Sequence, residues 1–178
     1  MKVVPREARP LSSFAGREGP FLRGRDCMGV SETAAQTCLA CRTAAGAFPQ
    51  DEVYRDERVV AVVAHHAINP GHLVIVSREH VRNALTMEPD LLCHMILVAQ
   101  TLGRELLAAV GCDAVMFVFN NEAPCQTLFH AHLHVAPRNT GDAMDHRLGT
   151  EVAAEARARM AEQIRNYLHR NETKEQSP

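Results

Sequence analysis

The chain has no tryptophan, two tyrosines, and aromatic side chains at only 4% of its 178 residues. It has no run of about 18 apolar residues that could span a bilayer, and no apolar stretch near the N-terminus that could act as a secretory signal. A mitochondrial presequence is disfavoured by Pro5, Pro10, Gly16, Gly19 and Pro20 and by the acidic residues among them. The charge of either sign is nearly balanced, with a formal net of −2, which argues against general affinity for nucleic-acid polymers. The 6 cysteines, at positions 27, 38, 41, 93, 112 and 125, lack the regular spacing of a disulfide framework. Without a secretory signal, they read as reduced thiols in a cytoplasmic protein.

With 46% hydrophobic residues in 178, the chain can bury one core, so a single domain over 31–170 is expected. Residues 1–30 carry six basic and three acidic side chains among scattered Gly and Pro, a texture that predicts a disordered extension. Met28, just before the recognisable domain, is a candidate start. The polar residues 171–178 predict a flexible tail. Val53 to Arg55, Val59 to Ala64, Leu73 to Val76, Ala114 to Phe119 and Phe129 to Ala136 read as strands. Leu91, Leu92, Met95, Ile96, Ala99, Leu102 and Leu106 recur at helical spacing between Glu88 and Val110. Thr86 can cap this helix, Pro89 suits its first turn, Gly111 stops it, and His94 falls at solvent or a core edge. A second, charged helix is predicted over Glu151 to His169. Strands in meanders with two main helices predict an α+β fold on an antiparallel sheet of about five strands.

The chemistry concentrates in His130-Ala131-His132-Leu133-His134-Val135-Ala136. With 10 His in 178 residues, such an alternating triplet arises by chance with a probability of about 3%. Strand alternation sends the three imidazoles to one face and Ala131, Leu133 and Val135 to a core. Such imidazoles can be metal ligands, acid/base groups or nucleophiles, and spacing does not choose among these. Neutral imidazole, with an ordinary pKa of about 6.5, offers a lone pair near pH 7 without strong activation. A fourth histidine, His72, follows the Pro70-Gly71 turn at the mouth of a buried strand. Cys38-Leu39-Ala40-Cys41 is half of a tetrahedral zinc site, with a redox pair or a buried pair as the competing readings. The missing tryptophan and the lack of a preceding thioredoxin-like strand count against the redox reading.

Pro70-Gly71-His72-Leu73-Val74-Ile75, followed by Asn120, Gln126 and the His130/His132/His134 triplet, resembles the histidine triad (HIT) superfamily of nucleotide hydrolases and transferases, from about Cys38 to Arg138. The resemblance implies an α+β HIT-like fold, with His132 as nucleophile and His134 and His72 at the scissile phosphate. Gln126 and Thr127 would sit beside that phosphate, with Asn120 at the end of its strand. Zinc-containing relatives complete the cysteine pair with two histidines, which here makes Cys38, Cys41, His80 and His130 the ligands of a structural zinc. Ala64 stands where relatives place a ribose-binding Asp or Asn, so His65 and His66 become candidates for sugar or base contacts. Cys125, where relatives often have Gly, puts a thiol near the phosphate. A homodimer formed through the helix and an edge strand is also implied.

The activity implied is hydrolysis of a nucleotide phosphoramidate, acyl-nucleotide or dinucleoside polyphosphate through a covalent nucleotidyl-histidine, releasing a nucleoside monophosphate. The alternatives are a nucleotidyltransferase or dinucleoside polyphosphate phosphorylase, a slow nucleotide-binding scaffold, and a zinc-binding regulatory protein.

Overall fold

The computed structural model describes residues 37–143 and 149–175. The expected extension over 1–30, the candidate start at Met28 and residues 176–178 of the expected tail lie outside the described residues.

Runs of β-branched residues dictate the sheet. Strands β1 (Glu52–Arg55) and β2 (Val59–Val63) pair antiparallel across a turn closed by Asp56. The Asp56 carboxylate accepts the Arg58 and Val59 N–H groups at 2.7 and 2.8 Å. The short β3 (His66–Ala67) and then β4 (Leu73–Ser77) follow. Gly71 makes the turn into β4 at φ +85, and a Cβ there would stand 2.8 Å from Val110 Cγ1, so only glycine fits.

Strands β5 (Ala114–Phe119) and β6 (His132–Arg138) complete a five-stranded antiparallel sheet in the order β1-β2-β4-β6-β5. The order departs from a simple meander at one point, where β6 inserts between β4 and β5. The histidine strand is therefore hydrogen-bonded on both edges, with His132 opposite Val76 and His134 between Val74 and Val118.

Alternation divides the sheet into two faces. Val59, Ala61, Val63, Leu73, Ile75, Leu133 and Val135 form the main core. Two long helices contribute to it, α2 (Pro89–Ala109) through Met95, Ala99, Leu102 and Leu106, and α3 (Ala154–Glu175) through Ala161 and Ile164. On the other face Val60, Val62 and Val76 meet Ala40 of a six-residue helix, α1 (Leu39–Ala44). Among the described residues, α2 is the one helix long and apolar enough to cross a membrane, and its buried stripe on the sheet accounts for that apolarity.

Several local expectations shift. Glu88, not Thr86, stands at the α2 N-cap without a side-chain cap, because the Thr86 hydroxyl turns back to Asn83. Strand β6 starts at His132, so His130 precedes it. Helix α3 starts at Ala154 because Thr150–Glu151 forms β7 and pairs with β3, and it continues past Asn171 to Glu175. Two side-chain contacts to carboxylates tie the helices down. His94 on α2 reaches Asp56 at 2.7 Å, and Arg157 on α3 reaches the wholly buried Asp51 at 2.9 Å.

Burial raises the Asp56 carboxyl, but hydrogen bonds from Arg58, Val59, Tyr54 and His94 more than offset it and hold its pKa at about 2. This contribution to stability is present above the ordinary carboxylate pKa of 3.8 and is lost as pH falls toward 2. In urea unfolding at pH 7, Asp56→Ala is expected to lose about 1–3 kcal/mol, because two backbone N–H groups lose a charged acceptor. The deficit should shrink below pH 3.8, and parental stability at pH 7 would contradict the role assigned to this turn.

Candidate active site and metal centre

Partners fix the tautomer of each buried imidazole. The Ile68 backbone N–H donates to His72 Nδ1 at 3.1 Å, so His72 carries its proton on Nε2. That Nε2 donates to His134 Nδ1 at 3.0 Å, which leaves the His134 proton on Nε2. His132 Nδ1 donates to the His130 carbonyl at 2.6 Å, which leaves a lone pair on His132 Nε2. The His132 and His134 rings stand edge to face with centroids 5.0 Å apart. Burial pushes the His132 imidazole down from its ordinary value, partly offset by its hydrogen bond to His130. Burial also pushes His72 down to about 4. His132 and His134 thus carry one unprotonated ring nitrogen and one N–H at the centre of the row.

His72 is 2% exposed and touches this centre through His134. His130 departs further from the expected strand. It lies outside β6, its Nε2 donates to the Ser77 carbonyl at 2.8 Å, and its Nδ1 lone pair faces two sulfurs. Ser77, wholly buried, gives no sequence signal beyond standing three residues before His80.

The sulfurs belong to Cys38 and Cys41, at 3.5 and 3.4 Å from His130 Nδ1, and His80 Nδ1 lies 3.1 Å from Cys41 Sγ. All four donor atoms lie within 4.8 Å of one another. A tetrahedral zinc with its usual bond lengths separates sulfur and nitrogen ligands by about 3.5 Å, so the donor set and its spacing fit zinc. Burial, and then the neighbouring Cys38, push the Cys41 thiol up to about 11, a cost that a cation between the sulfurs would reverse. A closed set of this kind leaves no open position for substrate.

The loop before β6 is built by Gln126. Its buried amide donates to the Arg82 and Leu128 carbonyls at 2.7 and 2.9 Å and accepts the Glu122 N–H at 2.9 Å. This leaves Gln126 shaping the loop, with the adjoining Thr127 exposed on it. Asn120, half-buried, closes β5, while Cys125 is exposed. Glu122, at φ 64, takes a bidentate hold from Arg82 at 2.7 Å, and the Arg82 guanidinium lies 4.3 Å over the Phe129 ring. His65 Nε2 donates to the Asp51 carboxylate at 3.2 Å and its ring meets Phe48 edge to face, while His66 is exposed on β3. Asp51, Arg157 and Arg82 are missed by sequence reasoning, because their partners lie 106 and 40 residues away.

Residues 45–141 match the sequence pattern of a family described as the HIT domain. A HIT-like protein of Mycobacterium tuberculosis is 30% identical over 106 residues, covering 59% of this chain and 74% of that one. The adenylylsulfatase HINT3 of Arabidopsis thaliana is 25% identical over 134 residues, 70% of this chain and 68% of its own. Among solved structures, a zinc-bound histidine triad family protein from Mycobacterium smegmatis superimposes with a TM-score of 0.68 at 23% identity, covering 78% of this chain and 98% of that one.

Because His72 titrates at about 4 when folded, the unfolded chain takes up a proton there that the folded chain refuses between pH 6.5 and 4. Stability contributed by neutral His72 is present above pH 6.5 and declines as pH falls toward 4, by up to about 3 kcal/mol. Thermal unfolding followed across this window should show a shallower acid loss in His72→Asn than in the parent. Identical slopes would contradict it.

Proposed function

The chain belongs to the HIT domain family, and from that membership we propose that it is a nucleotide-phosphate hydrolase working through a covalent nucleotidyl-His132. The observation that carries this is the tautomer of His132, whose Nδ1–H is held by the His130 carbonyl so that Nε2 is free to attack.

Attack by Nε2 on the α-phosphorus forms the N–P bond and breaks the bond to an amine, acyl or phosphate leaving group, which departs with the electron pair and takes a proton from solvent. The adduct ring is then cationic, with phosphorus on Nε2 and hydrogen on Nδ1. The His130 carbonyl stabilises that charge through a charge-assisted hydrogen bond. Water next attacks the phosphorus, the N–P bond breaks back to neutral His132, and a nucleoside monophosphate and a proton are released. The His134 Nε2–H serves the phosphoryl oxygens, where negative charge grows. His72 positions it through the contact with Nδ1. Thr127 and Asn120 contact the phosphate side, Gln126 holds the loop that presents them, and His65 lies at the sugar side beside Ala64. The adenylylsulfatase activity named for the plant relative supports an acyl- or anhydride-type bond at the α-phosphorus.

Cys38, Cys41, His80 and His130 would hold a structural zinc that fastens α1 to the segment after β4 and the segment before β6. The reduced cysteine pair this requires suits the cytoplasm. We propose a homodimer formed through the β5 edge and α2, where Phe117, Leu107 and Ile96 are 41%, 43% and 40% exposed.

Protein quenched during turnover of an adenosine phosphoramidate is expected to carry an added nucleotidyl mass on the peptide containing His132. In His132→Ala the adduct should vanish and turnover fall by on the order of 10³ to 10⁶. Undiminished turnover in that variant would sink the mechanism. Inorganic phosphate in the same assay separates the acceptors, since nucleoside diphosphate among the products would make the protein a phosphorylase. Sedimentation is expected to show a dimer in the parent and a monomer in Phe117→Glu, and a monomeric parent would remove the dimer.

A further inference from the structure

The Cys38/Cys41/His80/His130 cluster and the His132 site share two stretches of chain. At residue 130 one side chain and one carbonyl serve both. The ring is held between the Cys38 and Cys41 sulfurs and the Ser77 carbonyl, and the carbonyl holds His132 Nδ1. Releasing the ring frees the backbone that sets the His132 tautomer. At residue 80 the route is longer. The His80 ring faces Cys41, the next carbonyl, on Val81, accepts the Ala131 N–H at 2.6 Å, and the carbonyl after that, on Arg82, accepts Gln126 Nε2 at 2.7 Å. The Arg82 guanidinium fixes Glu122 at the start of the same loop. Thiols are weak hydrogen-bond partners, so without a cation little holds the two imidazoles to the two sulfurs.

We propose that metal binding at this cluster and nucleotide binding at His132 are thermodynamically coupled through residues 130–132 and 80–82, so that the metal tunes the active site as well as fastening the fold. The proposal rests on the functional reading above and adds regulation of the same site by metal supply. Coupling of this kind is reciprocal, so the nucleotide must tighten the metal by the factor by which the metal tightens the nucleotide.

The test uses the full chain and adenosine monophosphate, the product of the proposed reaction. Its affinity is measured by calorimetry on zinc-loaded and zinc-stripped protein, and zinc affinity is measured by chelator competition with and without it. Both ratios are expected to agree and to lie between about 5- and 150-fold. Ratios near one, with the nucleotide binding loaded protein normally, overturn the coupling and leave the hydrolase reading standing. Failure of the nucleotide to bind loaded protein overturns both.

Unfolding of stripped protein would imitate coupling, so cobalt-loaded protein supplies a second readout in which every species is folded. A shift of the cobalt–thiolate absorption on saturation with the nucleotide supports the route through His130 and His80. An unchanged spectrum with nucleotide bound overturns it.

Discussion

One hydrogen bond, from His132 Nδ1 to the carbonyl two residues earlier, sets the terms for the rest of the site. It decides which ring nitrogen is free, and it waits on the side where positive charge would build. For that carbonyl to face His132, residue 130 has to leave the strand geometry that residue 132 obeys. The His130 ring lies among Cys38, Cys41 and His80 instead of joining a third step of the row. The surrounding sheet keeps the arrangement rigid. With β6 paired to β4 on one edge and β5 on the other, the backbone of His132 and His134 has no free edge along which to slip.

What sequence could reveal follows from the range of the interactions. The five main strands were legible because alternation is a local property, and Ala114–Phe119 matches residue for residue. Of the candidate metal donors, Cys38 and Cys41 were legible from their spacing and His80 and His130 only through the family resemblance, and the fold gathers all four. The path of residue 130 was not, because strict alternation from 130 to 134 is what an uninterrupted strand would show. Gln126 carried no sign that its amide would turn inward, since its three partners are backbone groups, which have no residue identity to read. Ribbon β3–β7 has two residues per strand, too few for a periodic signal.

The Asp51 and Arg157 pair shows a different kind of constraint. Asp51 is wholly buried, and one of its carboxylate oxygens has Arg157 and His65 as partners while the other has none. A buried ion pair of this sort contributes little net stability compared with apolar packing, yet losing either partner strands a charge in the interior. Its effect is therefore on alignment. Helix α3 buries Ala161 and Ile164 in the register that brings Arg157 to Asp51.

The span of the metal cluster along the chain also has a consequence for how the protein is made. Cys41 leaves the ribosome 89 residues ahead of His130, as their positions show. At ordinary elongation rates of about 5–20 residues per second, that is roughly 4–18 s. His80 joins the two thiols 39 residues after Cys41, and until His130 follows, β6 has yet to enter the sheet between β4 and β5. Strand β6, which has a neighbour on each edge, is thus the last of the five to be synthesised. The nascent chain carries the two thiols and four of the five strands before His130 and β6 can complete either set.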